Sequence, residues 1–298
     1  MKKKSRTPLF DRVALIGLGL IGSSLARAIR RGRLARELVA CDASAAVRDK
    51  VVELGLADRV VGNPAAAVRG ADLVVVCTPV STYAGLAAAF GPKLERGAIV
   101  SDVGSVKRAA RDALAPHVKR GVHLVPAHPV AGTENSGPEA GFADLFKGRY
   151  CILTPPAGAD PKAVAKVATL WRRIGMEIAT MDAEHHDRVL AITSHVPHLI
   201  AYTIVNTVSD LEGHLRAEVI KFAASGFRDF TRVAGSDPTM WRDVFLNNKD
   251  AVLEMTGRLY EDIALLQKAI RNGDGDTLHR VFARARRIRR GIVQAKQD

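Results

Sequence analysis

Val13-Ala14-Leu15-Ile16-Gly17-Leu18-Gly19-Leu20-Ile21-Gly22-Ser23-Ser24 is the stretch that decides the fold. A short apolar run breaks into Gly-x-Gly-x-x-Gly, and a helical pattern follows at once with Leu25, Ala28 and Ile29. This is the order of a strand, a tight turn and a helix N-terminus. Gly17 permits the turn, Gly19 lets backbone approach a pyrophosphate, and Gly22 lets the helix pack closely on the strand. The helix start, at Leu20 and Ile21, offers free N–H groups and a positive dipole end to phosphates. Twenty positions after Gly22, Asp42 closes a second apolar run, Leu38-Val39-Ala40-Cys41. A carboxylate there accepts hydrogen bonds from the adenosine ribose hydroxyls and repels the additional phosphate of NADP. The pattern therefore predicts NAD as the cofactor, with Arg48 a little further on able to soften that preference.

Working outward, strands and helices alternate. Ala71 to Cys77 and Gly97 to Asp102 are apolar runs of the kind found in buried parallel strands, and Val122 to Val125 is strand-like too. Such alternation predicts an α/β fold, a Rossmann-type doubly wound sheet, with ligands bound beyond the carboxyl ends of its strands. Thr78 and Pro79, Asp102 to Ser105, and Ala127-His128-Pro129 fall at those ends and are expected to face the nicotinamide half of the cofactor. Between His128 and Arg149 the pattern lapses into a Gly-, Pro- and polar-rich loop, a length that usually signals function. Strands at Arg149–Thr154 and Met176–Thr180, with a helix from Pro161 to Ile174 between them, complete a dinucleotide-binding domain over residues 1–182. From Ala183 strand signals vanish. Helical periodicity over Asp187–Val208, Arg216–Ala224, Thr239–Asn248, Ala251–Ile270 and Asp276–Gln294 predicts an all-α domain over residues 183–298. It carries more apolar residues than a thin bundle hides alone, so a homodimer is expected.

Composition narrows the class. The chain has 298 residues, 47% of them hydrophobic, enough for two ordinary domains. No run of about eighteen apolar residues is seen, so no membrane association is expected. Three widely spaced cysteines in strand-like segments argue for reduced thiols and a cytoplasmic protein rather than a disulfide framework. The net charge of +13 comes from 44 Lys and Arg against 31 Asp and Glu. Much of it sits in the basic N-terminal tail and in Arg280, Arg284, Arg286, Arg287, Arg289 and Arg290. Apolar residues interleave that block at helical spacing, which reads as the solvated face of an amphipathic helix. With aromatics at 5% and no stacking platform in view, nucleic acid is not an expected partner.

A dehydrogenase needs a base for a hydroxyl proton while hydride leaves for the nicotinamide. Of nine His, His128 is best placed, although a loop His bonded to backbone would look the same locally. Ser105 starts a helix beyond the preceding strand and can orient that hydroxyl; it also fits an ordinary N-cap. His185, His186, His195 and His198 form a denser group. Pro197 strains a metal geometry there and neither a Cys partner nor HExxH appears, so no metal is expected. Arg232 lies between helices, where it can clamp a carboxylate bidentately or pair with Asp229.

Taken together, Gly17 to Ser24, Gly104-Ser-Val-Lys107, His128-Pro-Val-Ala-Gly-Thr-Glu-Asn-Ser-Gly137, Ser194-His-Val-Pro-His198, Phe227-Arg-Asp-Phe-Thr-Arg232 and Ser236-Asp-Pro-Thr-Met-Trp-Arg242 resemble the prephenate and arogenate dehydrogenases of tyrosine biosynthesis. The resemblance runs from Val13 to about Asn248. It implies a dinucleotide domain followed by a helical dimerisation domain, and NAD-dependent oxidative decarboxylation of prephenate to 4-hydroxyphenylpyruvate, with arogenate as a further or alternative substrate. By the same resemblance, His128 matches the base and Ser105 the serine that contacts the ring hydroxyl. Arg232 and His198 match groups that hold the substrate's carboxylate and side chain. Glu134 matches an acidic residue at the mouth of the site and Asp229 one that supports the arginine, while His195 and Trp241 are expected to be structural. Two rivals share parts of the pattern. A 2-hydroxy acid or 3-hydroxyisobutyrate type of dehydrogenase would keep Gly17 to Asp42 without the later motifs. A basic NAD-sensing protein would bind nucleic acid and do no chemistry.

Overall fold

The computed structural model describes residues 7–211, 218 and 221–294. Its first layer runs β1 (Phe10–Ile16), α1 (Leu20–Gly32), β2 (Ala35–Cys41), α2 (Ala45–Glu53), β3 (Arg59–Val61), α3 (Pro64–Ala67), β4 (Leu73–Val76), α4 (Tyr83–Phe90), β5 (Ile99–Asp102), α5 (Lys107–Leu114) and β6 (His123–Leu124). These strands form one parallel sheet in the order β3-β2-β1-β4-β5-β6. Strand order reverses between β1 and β4. Register places Ile16 level with Cys41 and Val76, and Val76 level with Asp102, so the strand ends form one rim. A crevice at such a reversal is where ligands of open α/β sheets bind.

The apolar runs are continuous because both faces of the sheet are covered. Along β1, Val13 and Leu15 join one core with Leu25, Ile29 and Trp171, whereas Ala14 and Ile16 join the opposite core with Phe90 and Leu114. Period-two alternation thus divides a uniformly hydrophobic strand between two layers.

After β6 the structure departs from the expected single sheet. β7 (Ala127–Pro129), β8 (Tyr150–Leu153) and β9 (Glu177–Thr180), with α6 (Pro161–Arg173) between the last two, make a separate three-stranded sheet. β7 runs antiparallel to β8, and β8 parallel to β9. The next N–H due to face β5, that of Ala127, goes instead to the Asp102 side chain at 3.2 Å, and the chain leaves one sheet there and joins another. The segment from Val130 to Arg149 packs back on α1. Arg27 Nε donates to the Gly141 carbonyl at 2.8 Å, and Ser24 Oγ accepts from the Phe142 N–H at 3.0 Å.

The helical part begins with α7 (Ala183–Leu190), capped by the Asp182 side chain, which accepts from His185 N–H at 2.7 Å. A π turn over Ala191–His195 leads into α8 (Val196–Ser209), then α9 (Ser225–Thr231) and α10 (Pro238–Asn247). The single helix expected over 187–208 is therefore divided. Pro197 lacks the N–H of an α-helical ladder, and the preceding turn widens to accommodate it. Of the helix expected over 216–224, residues 216, 217, 219 and 220 lie outside the described residues; 218, 221 and 222 are helical and 223–224 are not. Ala183–Ser209 is nevertheless long and apolar enough to cross a membrane by length and composition alone, which amends the expectation of no such stretch. Its buried His186, Asp187 and His195 bond to other parts of the protein, as described below.

Compactness gives two units, Met1–Lys249 and Asp250–Asp298. The second consists of α11 (Lys249–Arg271), apart from its first residue, and α12 (Gly275–Gln294). Asp274 caps the turn between them by accepting from Thr277 N–H at 3.0 Å. Leu253, Tyr260, Ile263, Ile270 and Phe282 are exposed on these helices, as are the six arginines from Arg280 to Arg290.

Candidate active site

The glycine loop forms a cradle that side chains would block. Gly17 has φ +93°, and a Cβ on it would press on Thr78 and the Cys77 carbonyl carbon. A Cβ on Gly22 would overlap the Gly17 carbonyl oxygen, so α1 can lie against the turn only with glycine there. Gly19 is the N-cap of α1 and offers no side-chain acceptor to it. The N–H groups of Leu20, Ile21 and Gly22 have no carbonyl one turn back within the helix. Space beside Gly19 is open, so these donors and the dipole end meet a void that can take an anionic group such as a pyrophosphate. Asp42 stands at the end of β2, its Oδ2 accepting from Leu18 N–H and its Oδ1 from Ser44 N–H, both at 2.9 Å. Arg48 folds back, donating from Nη1 to the carbonyls of Asp42 at 2.9 Å and Ala43 at 2.8 Å. A dinucleotide fits these residues.

A cavity of about 550 Å³ opens from this cradle. Gly19, Leu20 and Ile21 line one side, Thr78 and Pro79 another, and Ser105, His128 and Glu134 complete it with the segments 131–137 and 236–244. Gly17, Gly22 and Asp42 shape the cradle from behind. His128 is carried by β7, opposite Ile152, and not by a loop as expected. Ser105 is not the N-cap of α5, which begins at Lys107 after Val106. The cap comes from a distant carboxylate. Asp187 on α7 accepts from Lys107 N–H at 2.7 Å and Arg108 N–H at 3.0 Å.

Beneath the cavity lies a buried polar network. His128 Nδ1 is 2.9 Å from His186 Nε2, and His186 Nδ1 is 2.8 Å from Asp187 Oδ1. Burial lowers the proton affinity of His128 far below the ordinary imidazole value, and His186, Lys107 and His195 push the same way. His186 is also lowered by burial, against the raising effect of Asp187. Lys107 is wholly buried and bonds through Nζ to Asp102 Oδ2 at 2.5 Å and to the Ala127 carbonyl at 2.6 Å. Asp102 in turn accepts from Ala127 N–H at 3.2 Å and Gly104 N–H at 2.8 Å. This pair grips the residue before His128 from both sides and holds the segment leading to Ser105.

The four histidines from His185 to His198 do not gather. His185 is exposed, His186 meets His128, and His195 takes a bond at 3.1 Å from Asn248 Nδ2. His198 stacks on Trp241 with centroids 3.6 Å apart and holds the Ser194 carbonyl through Nδ1 at 2.8 Å. Among the described residues no group of three or more His, Cys, Asp and Glu side chains is placed to hold a metal ion. Arg232 does not pair with Asp229. Its Nη1 reaches Glu134 Oε2 at 3.1 Å, because α9 places the guanidinium over the segment that lines the cavity mouth. The expected support from Asp229 is thus replaced by Glu134. Asp243 on α10 accepts from the Ser81 hydroxyl just after β4, and that bond with Arg242 holds its carboxyl below the usual range.

His186, Asp187 and Lys107 were not expected at the site, and Asp102, expected to face the nicotinamide, is instead buried with Lys107 beneath the cavity. One signal was available for two of them. Ala183, His186, Asp187 and Leu190 fall on one stripe of α7, so two polar residues occupy an otherwise apolar buried face and require partners.

Comparison with known proteins follows the same lines. A family model described as prephenate dehydrogenase, nucleotide-binding domain, matches residues 25–180, and one described as prephenate dehydrogenase, dimerization domain, matches residues 182–284. A cyclohexadienyl dehydrogenase of Zymomonas mobilis is 43% identical over 285 residues, covering 94% of this chain and 96% of that protein. A prephenate dehydrogenase of Bacillus subtilis is 33% identical, covering 95% of this chain and 76% of its own. Among solved structures, prephenate dehydrogenase from A. aeolicus in complex with hydroxyphenyl propionate and NAD+ superposes with a TM-score of 0.87 at 30% identity, covering 97% of this chain and 100% of that one.

Proposed function

The chain belongs to the prephenate dehydrogenase family, and from that premise we propose that it carries out the NAD-dependent oxidative decarboxylation of prephenate to 4-hydroxyphenylpyruvate, on the route to tyrosine. The observation that carries the reading is one cavity shared by the phosphate cradle at Gly19–Ile21, by His128 and Ser105, and by Glu134 with Arg232 paired to it. When bound, NAD supplies the acceptor for the hydride that leaves the hydroxyl-bearing ring carbon. His128 takes the hydroxyl proton as the carbon–oxygen double bond forms, with Ser105 orienting the hydroxyl. The bond from the ring to its carboxylate breaks, its electron pair enters the ring and passes on to the carbonyl oxygen, and CO2 departs, leaving a phenolate that takes the proton back from His128 to give the phenol. Burial of the His128 ring keeps it neutral and ready to accept that proton. Arg232 and His198 anchor the acidic substrate, with Glu134 holding Arg232 in place beforehand.

The division of labour follows the chain. Residues 1–182 hold the dinucleotide, and residues 183–298 supply the substrate anchors and the surface of a homodimer. The match to a dimerization domain and the exposed apolar residues of α11 and α12 support the latter. Three free thiols, Cys41, Cys77 and Cys151, support a reducing, cytoplasmic setting.

Arogenate differs from prephenate in carrying an ammonium where prephenate has a keto group. Arg232 and His198 suit the keto acid, and Glu134 is the acid that an ammonium would meet. NAD reduction measured separately with each substrate tests the reading. A higher kcat/KM for prephenate is expected; a preference for arogenate, or no reduction with either, overturns it.

A further inference from the structure

Two groups behind the cavity, His186 and Asp187, have no part in the scheme above. We infer that they are positioning residues that fix His128 in the tautomer whose Nε2 is unprotonated. The inference rests on reading His128 as the base, and it adds what makes one particular nitrogen of that ring basic.

The argument is one of donors and acceptors. An ionised carboxylate only accepts, so the 2.8 Å contact to Asp187 Oδ1 requires the proton of His186 to sit on Nδ1. A neutral imidazole has one N–H, which leaves His186 Nε2 as an acceptor. The 2.9 Å contact to His128 then requires the proton of that ring on Nδ1. His128 Nε2 is left with a free lone pair. Any other assignment for neutral rings sets two donors or two acceptors against each other in a buried place, where neither can turn to water. Both rings are lowered by burial, so the neutral forms are the relevant ones.

Asp187 is itself held fixed. Its Oδ1 takes the Lys107 N–H as well as His186, and its Oδ2 takes the Arg108 N–H. It therefore closes the first turn of α5 with both of its oxygens engaged. Because Ser105 lies two residues before α5, one carboxylate ties the orientation of the His128 ring to the segment that carries Ser105. The charged and titratable groups facing His186 are His128, Asp187, Lys107 and Asp102. His195 adds to those acting on His128.

The test is ring-nitrogen NMR on histidine-labelled protein, wild type and variant, joined to kinetics of Asp187→Leu, His186→Gln, His186→Leu and His128→Asn. Wild type should show His128 protonated on Nδ1 and not on Nε2. Asp187→Leu removes the acceptor that holds the His186 proton on Nδ1, so both tautomers of His186, and with them of His128, become populated. His128 should then show Nε2 protonation absent from wild type, and kcat should fall with KM changed little. In His186→Gln the amide oxygen still accepts from His128, so tautomer and kcat should be largely kept, whereas His186→Leu should lose kcat. A wild-type His128 protonated on Nε2 overturns the inference without any variant having to fold. An Asp187→Leu protein that keeps both tautomer and kcat overturns it too. An active His128→Asn instead refutes the base assignment, so the two failures are separable.

Discussion

His195 offers a quantitative test of the buried histidines because its surroundings are simple. Its ring is fully buried, edge-on to Trp241 at 6.0 Å, with Nδ1 taking a bond from Asn248 and Nε2 without a partner among the described residues. Burial pushes its pKa down to about 4, while an unfolded chain titrates histidine near ~6.5. A group whose folded value is depressed contributes stability above the unfolded value and loses it as pH falls toward the folded one. Between about pH 7 and about pH 5 the unfolded chain gains nearly a whole proton here that the folded chain refuses, a loss of about 2 kcal/mol. Total stabilities are about 5–15 kcal/mol, so this is a visible fraction. His128 and His186 are depressed too and add in the same direction. Urea denaturation followed by tryptophan fluorescence measures the effect in wild type and in His195→Gln, whose amide oxygen can still accept from Asn248. The variant should lose about 2 kcal/mol less on acidification. Equal pH dependence in the two proteins would refute the reasoning.

Three further outcomes follow from the geometry. Lys107→Met leaves Asp102 buried without its counter-charge and should cost roughly 3–5 kcal/mol in urea denaturation, part of it recovered when Asp102→Leu is added. Asp42→Ala removes the carboxylate at the end of β2 and should narrow the preference for NAD over NADP by about tenfold or more, read as a ratio of kcat/KM values. Arg232→Ala removes a substrate anchor and should raise KM by about tenfold or more with kcat nearly unchanged, whereas His128→Asn should lower kcat; matching signatures would contradict these roles.

What the sequence made legible was local. The glycine turn, the strand before it and Asp42 depend on neighbours within a few residues, and the sheet order follows from alternation of apolar runs with helices. The second sheet was not legible, because β7 is three residues long and its partner β8 lies beyond the long segment packed on α1. The strand-like runs at β8 and β9 look the same whichever sheet they join. At the site, Thr78, Pro79 and Ser105, which line the cavity, lie beyond strand ends and were placed by that rule. The chain from His128 through His186 to Asp187 joins residues far apart in sequence, and spacing alone set His186 with His185, His195 and His198 in a group that resembled a metal cluster. Arg232 had a nearby acid in Asp229, and only the path of α9 assigns it to Glu134 instead.

The most direct test of His128 as the base is the pH dependence of kcat/KM for prephenate oxidation, from about pH 4 to about pH 9, which reads the free enzyme. Burial first, then His186, Lys107 and His195, lowers the proton affinity of His128, and the neutral ring is the competent form. The rate should therefore be level through neutrality and fall only well below ~6.5, the ordinary imidazole value. His128→Asn should be slower by roughly 10²–10⁴-fold. An acid limb at or above that ordinary value, or a His128→Asn enzyme as fast as wild type, would contradict the account.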